Sequence, residues 1–217
     1  MRQLLGTLML LIGSLVLAVE PIPVVGLVWW PADSDDPRYT FGRETEACLA
    51  SAIGTEAPLI RLVPHQTIRE TLYPRLEPAT QPPSEEAFAE LLARTDVQDR
   101  LRRFGLTHLV AFTGGTTAPP FRGAILCGGG FGAGGCLGFA WQDKTTTLAA
   151  AVWNLERRER VVEEKELNKG TSIVPAFVLP LPLMADTHSA ACHVLGRRIA
   201  HDLIGLPDSH GSMAPRR

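Results

Sequence analysis

The chain has 217 residues, and its 21 Lys and Arg residues against 23 Asp and Glu residues leave a formal net charge of −2 at pH 7. Proteins that bind nucleic acid through electrostatic attraction carry a basic surplus, so this charge excludes that class. Hydrophobic residues at 45% and charged residues at 20% are typical of a globular protein, and they exclude a coiled coil, a collagen-like chain and a polytopic membrane protein.

The N-terminal segment has the pattern of an export signal. A basic residue precedes an uncharged run from Leu4 to Val19, and the first acidic residue is Glu20. This run is shorter than the ~20 apolar residues that span a bilayer, and it has the length of a signal-peptide core. We predict that residues 1–18 are a signal peptide or an uncleaved N-terminal anchor, and that the protein acts in the periplasm or cell envelope. No cysteine lies near the end of the run, so no lipoprotein modification is expected.

Strands and helices alternate in the first half of the domain, which we place at residues 19–205. Runs rich in β-branched and aromatic residues predict buried strands at 24–30, 59–63 and 107–112. Apolar residues at helical spacing predict helices at 43–53 and 66–73, with one or two more between a cap at Ser84 and Gly105.

The second half of the domain is predicted to consist of strands and one closing helix. The strands are placed at 138–141, 145–155 and 160–167, with a tight turn at 142–144 and a charged turn at 156–159. Three prolines reduce 171–182 to an edge at best. A last helix begins at Asp186 or Thr187 and ends at Gly205, and 206–217 is a disordered tail. The prediction is an α/β fold with a three-layer-like mixed sheet, in the order βαβα(α)β, antiparallel meander, C-terminal helix.

Four cysteines accompany the export signal: Cys48, Cys127, Cys136 and Cys192. An even count in an exported protein indicates disulfides, and four cysteines allow three pairings. Cys127 and Cys136 flank a glycine-rich segment that can bring its own ends together, which favours a local bridge. Cys48 and Cys192 would then pair if two helices distant in sequence meet; the alternative is that both are small buried hydrophobic residues.

The predicted order of elements resembles the amino-terminal domain of TolB and related envelope proteins, including the curli-secretion lipoprotein and the penicillin-binding-protein activators. The clearest shared feature is a strand at 149–155, a charged turn and a returning strand at 161–167. The strings at 44–48 and 138–141, with the cysteine-bounded glycines, look like a group of bacterial envelope proteins of uncharacterised function. The resemblance covers residues 24–205. It implies a protein that binds other proteins or assembles, with no catalytic residues.

Two further patterns are typical of sites of chemistry. Residues 130–135 match G-x-G-x-x-G, but a strand rather than a helix is predicted to follow, so we expect a hairpin loop and no nucleotide. His188 and Cys192 have the i, i+4 spacing of metal ligands, with Cys48 as a candidate third ligand. Cys192 also lies among the apolar residues of its helix, which favours a bridge or a packed thiol. No catalytic motif was found, and no cofactor is expected.

Phe131 is the only large side chain among the glycines between Cys127 and Cys136. A glycine loop offers little to bury an aromatic ring, so Phe131 is a candidate partner contact; the alternative is that it covers its own core. The sequence thus predicts a non-catalytic envelope-associated accessory protein that binds other proteins, with a homo-oligomer left open. Membrane contact is expected only through an uncleaved anchor. The alternative is a small envelope enzyme or metal-binding protein that uses its Cys and His residues.

Overall fold

The protein is built on a six-stranded mixed sheet, seen in a computed structural model that describes residues 22–30, 38–77, 79–130 and 133–205. The predicted signal segment 1–18 and the tail 206–217 lie outside these residues. The elements in chain order are β1 Val24–Trp29, α1 Arg38–Glu56, β2 Arg61–Val63, α2 His65–Thr71, α3 Glu85–Ala93, α4 Thr95–Arg103, β3 His108–Thr117, β4 Arg122–Gly130, β5 Ala133–Asn154, β6 Glu159–Val178 and α5 Thr187–Ile204.

Parallel and antiparallel pairing meet in this sheet at β3. Strand β1 pairs in parallel with β2 and with β3, while β5 is antiparallel to β3, β4 and β6. β3 and β4 pair with successive parts of the same edge of β5, and β6 follows the other edge. The predicted fold class, a mixed sheet with a meander and a closing helix, is confirmed.

Helices cover both faces of the sheet around β1 and β3, which gives the three layers. On one face, α1 and α5 bury Leu49, Ile53 and Leu195 against the strands. On the other face, α2, α3 and α4 form a second core that includes Ile68 and Phe88. Trp29 and Trp30 demonstrate the alternation of strand side chains. The Trp29 ring packs against Phe112 at 5.4 Å in the first core, and that of Trp30 lies 6.3 Å from Phe88 at the second.

Side chains cap the helices where the sequence predicts. The Ser84 hydroxyl accepts a hydrogen bond from the Ala87 amide, and the Asp186 carboxylate accepts one from the Ser189 amide. These bonds satisfy amides that the first turn of a helix leaves without partners. Among the helices of the described ranges, none combines the length and the hydrophobicity of a transmembrane segment.

The predicted tight turn at 142–144 is wrong. β5 continues from Ala133 to Asn154, and Gln142, Asp143 and Lys144 pair with Ser172, Thr171 and Gly170 of β6. Polar residues indicate a turn only when no neighbouring strand forms hydrogen bonds with their backbone groups. Here β6 pairs with them, so the chain continues as a strand. Likewise 171–178 completes β6 as an edge strand, and Pro175 is accommodated there.

Helices α1 and α5 approach closely at Gly196. A Cβ atom added there would lie 2.5 Å from the Ala52 Cβ atom, nearer than van der Waals contact allows. We therefore expect Gly196→Ala to lower the free energy of unfolding by about 1–2 kcal/mol, because separation of the helices outweighs the gain in helix propensity. Equilibrium unfolding in urea measures the effect.

The matched control is Gly54→Ala, at an α1 position where an added Cβ has no atom within 4 Å. This variant should gain about 0.5–1 kcal/mol, since only helix propensity changes. Equal stability of the two variants would contradict the close approach of the helices.

Candidate functional site

The upper part of the meander extends beyond the helices as a three-stranded ribbon, which we define as β4 with residues 133–142 of β5 and 170–178 of β6. Residues 123–142 and 170–185 contain no Asp, Glu, Lys, Arg or His. A sheet surface that faces only water normally carries charged and polar side chains. The ribbon therefore differs in composition from an ordinary exposed sheet surface.

One face of the ribbon, here called the open face, carries the exposed apolar side chains. Leu137 pairs with Leu126 of β4 and with Phe177 of β6, so the three form a row. Their exposed fractions are 69%, 77% and 75%. In a neighbouring row Phe139, 47% exposed, stacks at 5.8 Å on the ring of Trp141.

The segment after β6, residues 179–185, extends this apolar surface and is here called the returning segment. It turns back along the outer edge of β6, where Ile173 and Leu183 exchange two backbone hydrogen bonds and the Leu181 amide donates to the Pro175 carbonyl. Leu181 is 65% exposed and Leu183 58%. The Ser172 hydroxyl then accepts a bond from the Ala185 amide, which fixes the chain just before α5 begins.

The helices of the second core end below the open face. Trp153 is buried in that core. It also lines a groove of about 60 Å³, together with Trp30, Ala149 and Glu163. Pockets for metabolites or cofactors measure ~300–1,000 Å³. This groove is smaller than such a pocket.

Glycine permits the close pairing of β4 with β5. Gly138 has φ +151°, and an added Cβ would clash with the backbone carbonyl oxygen of Ala124 on β4. No other residue type adopts this conformation without strain. Five of the glycines predicted to form a loop, at 128–130 and 134–135, instead belong to paired strands.

The prediction of a ten-residue loop from Cys127 to Cys136 is therefore wrong. The two cysteines are directly opposite one another on β4 and β5, and they form a disulfide with a Cα–Cα distance of 4.0 Å. Pairing continues to Gly130 and Ala133, so only two residues connect the strands. Phe131 is one of these two and lies outside the described residues. Because strand side chains alternate, the disulfide is on the face opposite Leu126 and Leu137.

Cys48 and Cys192 form the second disulfide, which joins α1 to α5 across 6.2 Å between Cα atoms. The pairing is the one that the sequence favours. Both sulfur atoms are thereby bonded, and neither is available as the thiolate that a metal site or a nucleophile needs. The His188 Nε2 atom lies 2.9 Å from the Thr45 hydroxyl instead, and burial lowers the pKa of His188. The zinc hypothesis for this cluster is contradicted.

The G-x-G-x-x-G match, residues 130–135, runs from the end of β4 into β5. A pyrophosphate site needs a helix N-terminus after the glycines, and here a strand follows, as expected. Sequence reasoning missed Leu126, Leu137 and Phe177 as site residues. The signal that could have found them is the pair of uncharged runs, which are too long for ordinary exposed strands.

The chain matches no protein-family model and no curated protein. Similar solved structures include the PelC dodecamer from Paraburkholderia phytofirmans, at 7% identity over 86% of this chain and 89% of that one, with a TM-score of 0.39. Lipoprotein GNA1162 from Neisseria meningitidis is 12% identical over 70% and 84%, with a TM-score of 0.37. A neuraminyllactose-binding hemagglutinin homolog from Helicobacter pylori is 6% identical over 87% of each chain, with a TM-score of 0.37. Such values establish no family, and the resemblance to TolB domains stays a prediction.

Proposed function

We propose that this protein is an exported, non-catalytic accessory protein that binds another protein through the open face of its ribbon. The observation that carries the proposal is the row Leu126, Leu137 and Phe177, which is exposed on a ribbon whose only charged residue is Arg122. Burial of this row in a partner would remove apolar area from water, which is the main favourable contribution to protein association.

The size of the apolar surface supports a protein partner. Six large side chains of the open face and the returning segment are between 47% and 77% exposed: Leu126, Leu137, Phe139, Phe177, Leu181 and Leu183. At about 100 Å² each they present roughly 600 Å², the upper end of what the largest patch on a monomer reaches. A flat surface of this size fits a protein better than it fits a small molecule.

Two disulfides support action outside the cytoplasm. Disulfides persist in oxidising compartments and are rare in the cytosol. The bridge between Cys127 and Cys136 ties β4 to β5 within the ribbon, so the open face is held in shape before a partner arrives. A preformed surface loses less conformational entropy on binding. Phe131, which follows β4 in the sequence, is proposed as a further partner contact.

The test is a double variant, Leu137→Ser with Phe177→Ser. Both side chains are exposed, so the melting temperature should stay within about 2 °C of the wild-type value, while truncation of central anchors should weaken partner binding at least about tenfold. In-cell cross-linking followed by affinity capture and quantitative mass spectrometry measures the partner that each variant retains. Phe131→Ala belongs in the same series, as the test of the further contact.

Leu59→Ser is the matched control, because Leu59 is 75% exposed but precedes β2, away from the ribbon. It should capture the same partner as the wild type. If the double variant captures that partner as well as the control does, the open face is not the binding surface.

A further inference from the structure

The outer edge of β4 lacks the features that normally keep an edge strand from pairing with another chain. β5 pairs along the whole of β4, and no other strand within the described ranges pairs with it. On that side the backbone N–H and C=O groups of alternate residues of this nine-residue strand face outward. Eight of the nine residues are exposed, and none is Pro or Lys. Such an edge is a template for pairing with another strand.

The edges of the sheet at β2 and β6 have features that prevent such pairing. β2 has only three residues and is followed by Pro64. β6 carries Lys165, Lys169 and Pro175, and the returning segment pairs with its upper part. Short strands, lysine, proline and a covering segment all block edge-to-edge association. The contrast singles out β4.

We propose that β4 pairs with β4 of a second copy of this chain, antiparallel across a two-fold axis, with Leu126 opposite its counterpart. The two ribbons then form one six-stranded sheet. This inference goes beyond the proposed function, because it concerns the edge of the ribbon and self-association rather than the open face and another protein.

Charge and side-chain size favour a second copy over a foreign strand. Arg122 is the only charged residue of β4, and in this register it lies opposite Gly130 of the other copy, so no like charges meet. Recognition of a foreign peptide by strand addition relies on pockets for its alternate side chains. Three consecutive glycines at the end of β4 form no such pockets, whereas a backbone without side chains lets an identical strand approach closely.

The two-fold arrangement also explains the position of Leu126. In one copy, Leu137 covers it on one side and nothing among the described residues covers the other, which leaves it 77% exposed. In the dimer the two Leu126 side chains lie side by side. A two-fold axis perpendicular to the sheet keeps both open faces on the same side, so the dimer presents one continuous apolar surface.

The experiment measures the mass of the purified full chain by sedimentation equilibrium over a range of concentrations. We expect a wild-type dimer, and a dissociation constant that rises at least about tenfold in Leu126→Lys, because two lysines would face each other across the axis. Leu59→Lys, an equally exposed site away from the ribbon, should dimerise as the wild type does. If Leu126→Lys fails to fold, Ala124→Lys takes its place, because it puts a lysine opposite Gly128 of the other copy, and lysine on an edge strand opposes pairing.

Leu126→Glu should be monomeric alone and should form a heterodimer when mixed with Leu126→Lys, since opposite charges then meet at the axis. Recovery by mixing is specific to an interface in which residue 126 faces itself. A monomeric wild type, or a lysine variant that dimerises normally, would overturn the inference. Neither result bears on capture by the open face, which the Leu137 and Phe177 double variant tests separately.

Discussion

Replacement of Cys48 and Cys192 together by alanine is expected to lower the free energy of unfolding by about 3–5 kcal/mol. The two residues are 144 positions apart, so their bridge removes a large loop-closure entropy from the unfolded chain, about 5 kcal/mol in the chain-entropy description. The bridge also joins α1 to α5, whose apolar residues form the first core. Equilibrium unfolding in urea gives the loss.

The matched comparison is the double alanine variant at Cys127 and Cys136, nine positions apart. Its shorter ring predicts a loss of about 2.5–3 kcal/mol at most, and this bridge lies in the ribbon rather than in either core. Mass mapping of a non-reduced digest should find both pairs in the wild type. If the ribbon variant were the less stable of the two, the α1–α5 bridge would not be the main covalent constraint on the fold.

Acidification from pH 6.5 to pH 4 is expected to cost the protein up to about 3 kcal/mol of stability through His65 alone. His65 is 5% exposed, and its Nδ1 atom accepts a hydrogen bond from the Trp29 amide at 3.1 Å. Protonated imidazole has no acceptor nitrogen, so charging the ring would break this bond in a buried site. Burial, with the positive charge of Arg69, lowers the pKa of His65 from 6.5 to about 4.

The direction of the effect follows from proton uptake. Above pH 6.5 the ring is neutral in both the folded and the unfolded chain, and stability does not depend on it. Between pH 6.5 and pH 4 the unfolded chain binds a proton that the folded protein excludes, so stability falls as pH falls. Burial raises the pKa of Glu46, whose carboxylate accepts a bond from the His65 amide; this contribution has the opposite sign and must be subtracted.

Comparison with His65→Asn makes that subtraction, because an asparagine carbonyl can accept the Trp29 bond without titrating and Glu46 is retained. The variant should show a flatter loss of stability between pH 6.5 and pH 4, measured by urea unfolding at several pH values. Parallel curves for the wild type and His65→Asn would show that His65 does not determine the acid sensitivity.

Local patterns in the sequence were sufficient for the helices and the inner strands. Ser84, Asp186 and the apolar spacing of α5 define helix ends and faces through contacts within a few residues, and such contacts are readable from the sequence. The pairing of Cys48 with Cys192 was also accessible, because the export pattern and the even cysteine count left few alternatives.

Only the tertiary structure decided what the glycines and polar residues of the meander do. Residues 142–144 have turn composition, yet they lie within β5 because β6 pairs with them; pairing between distant strands outweighs local preference. Pairing of β4 with β5 likewise replaces the predicted ten-residue loop by two strands. The pairing of β5 with both neighbours brings Leu126, Leu137 and Phe177, from three separate segments, into one exposed row. The sequence by itself determined which residues are apolar and uncharged. Which of them the helices cover and which they leave to a partner depends on where α2, α3 and α4 end on the sheet, and that is a property of packing between distant parts of the chain.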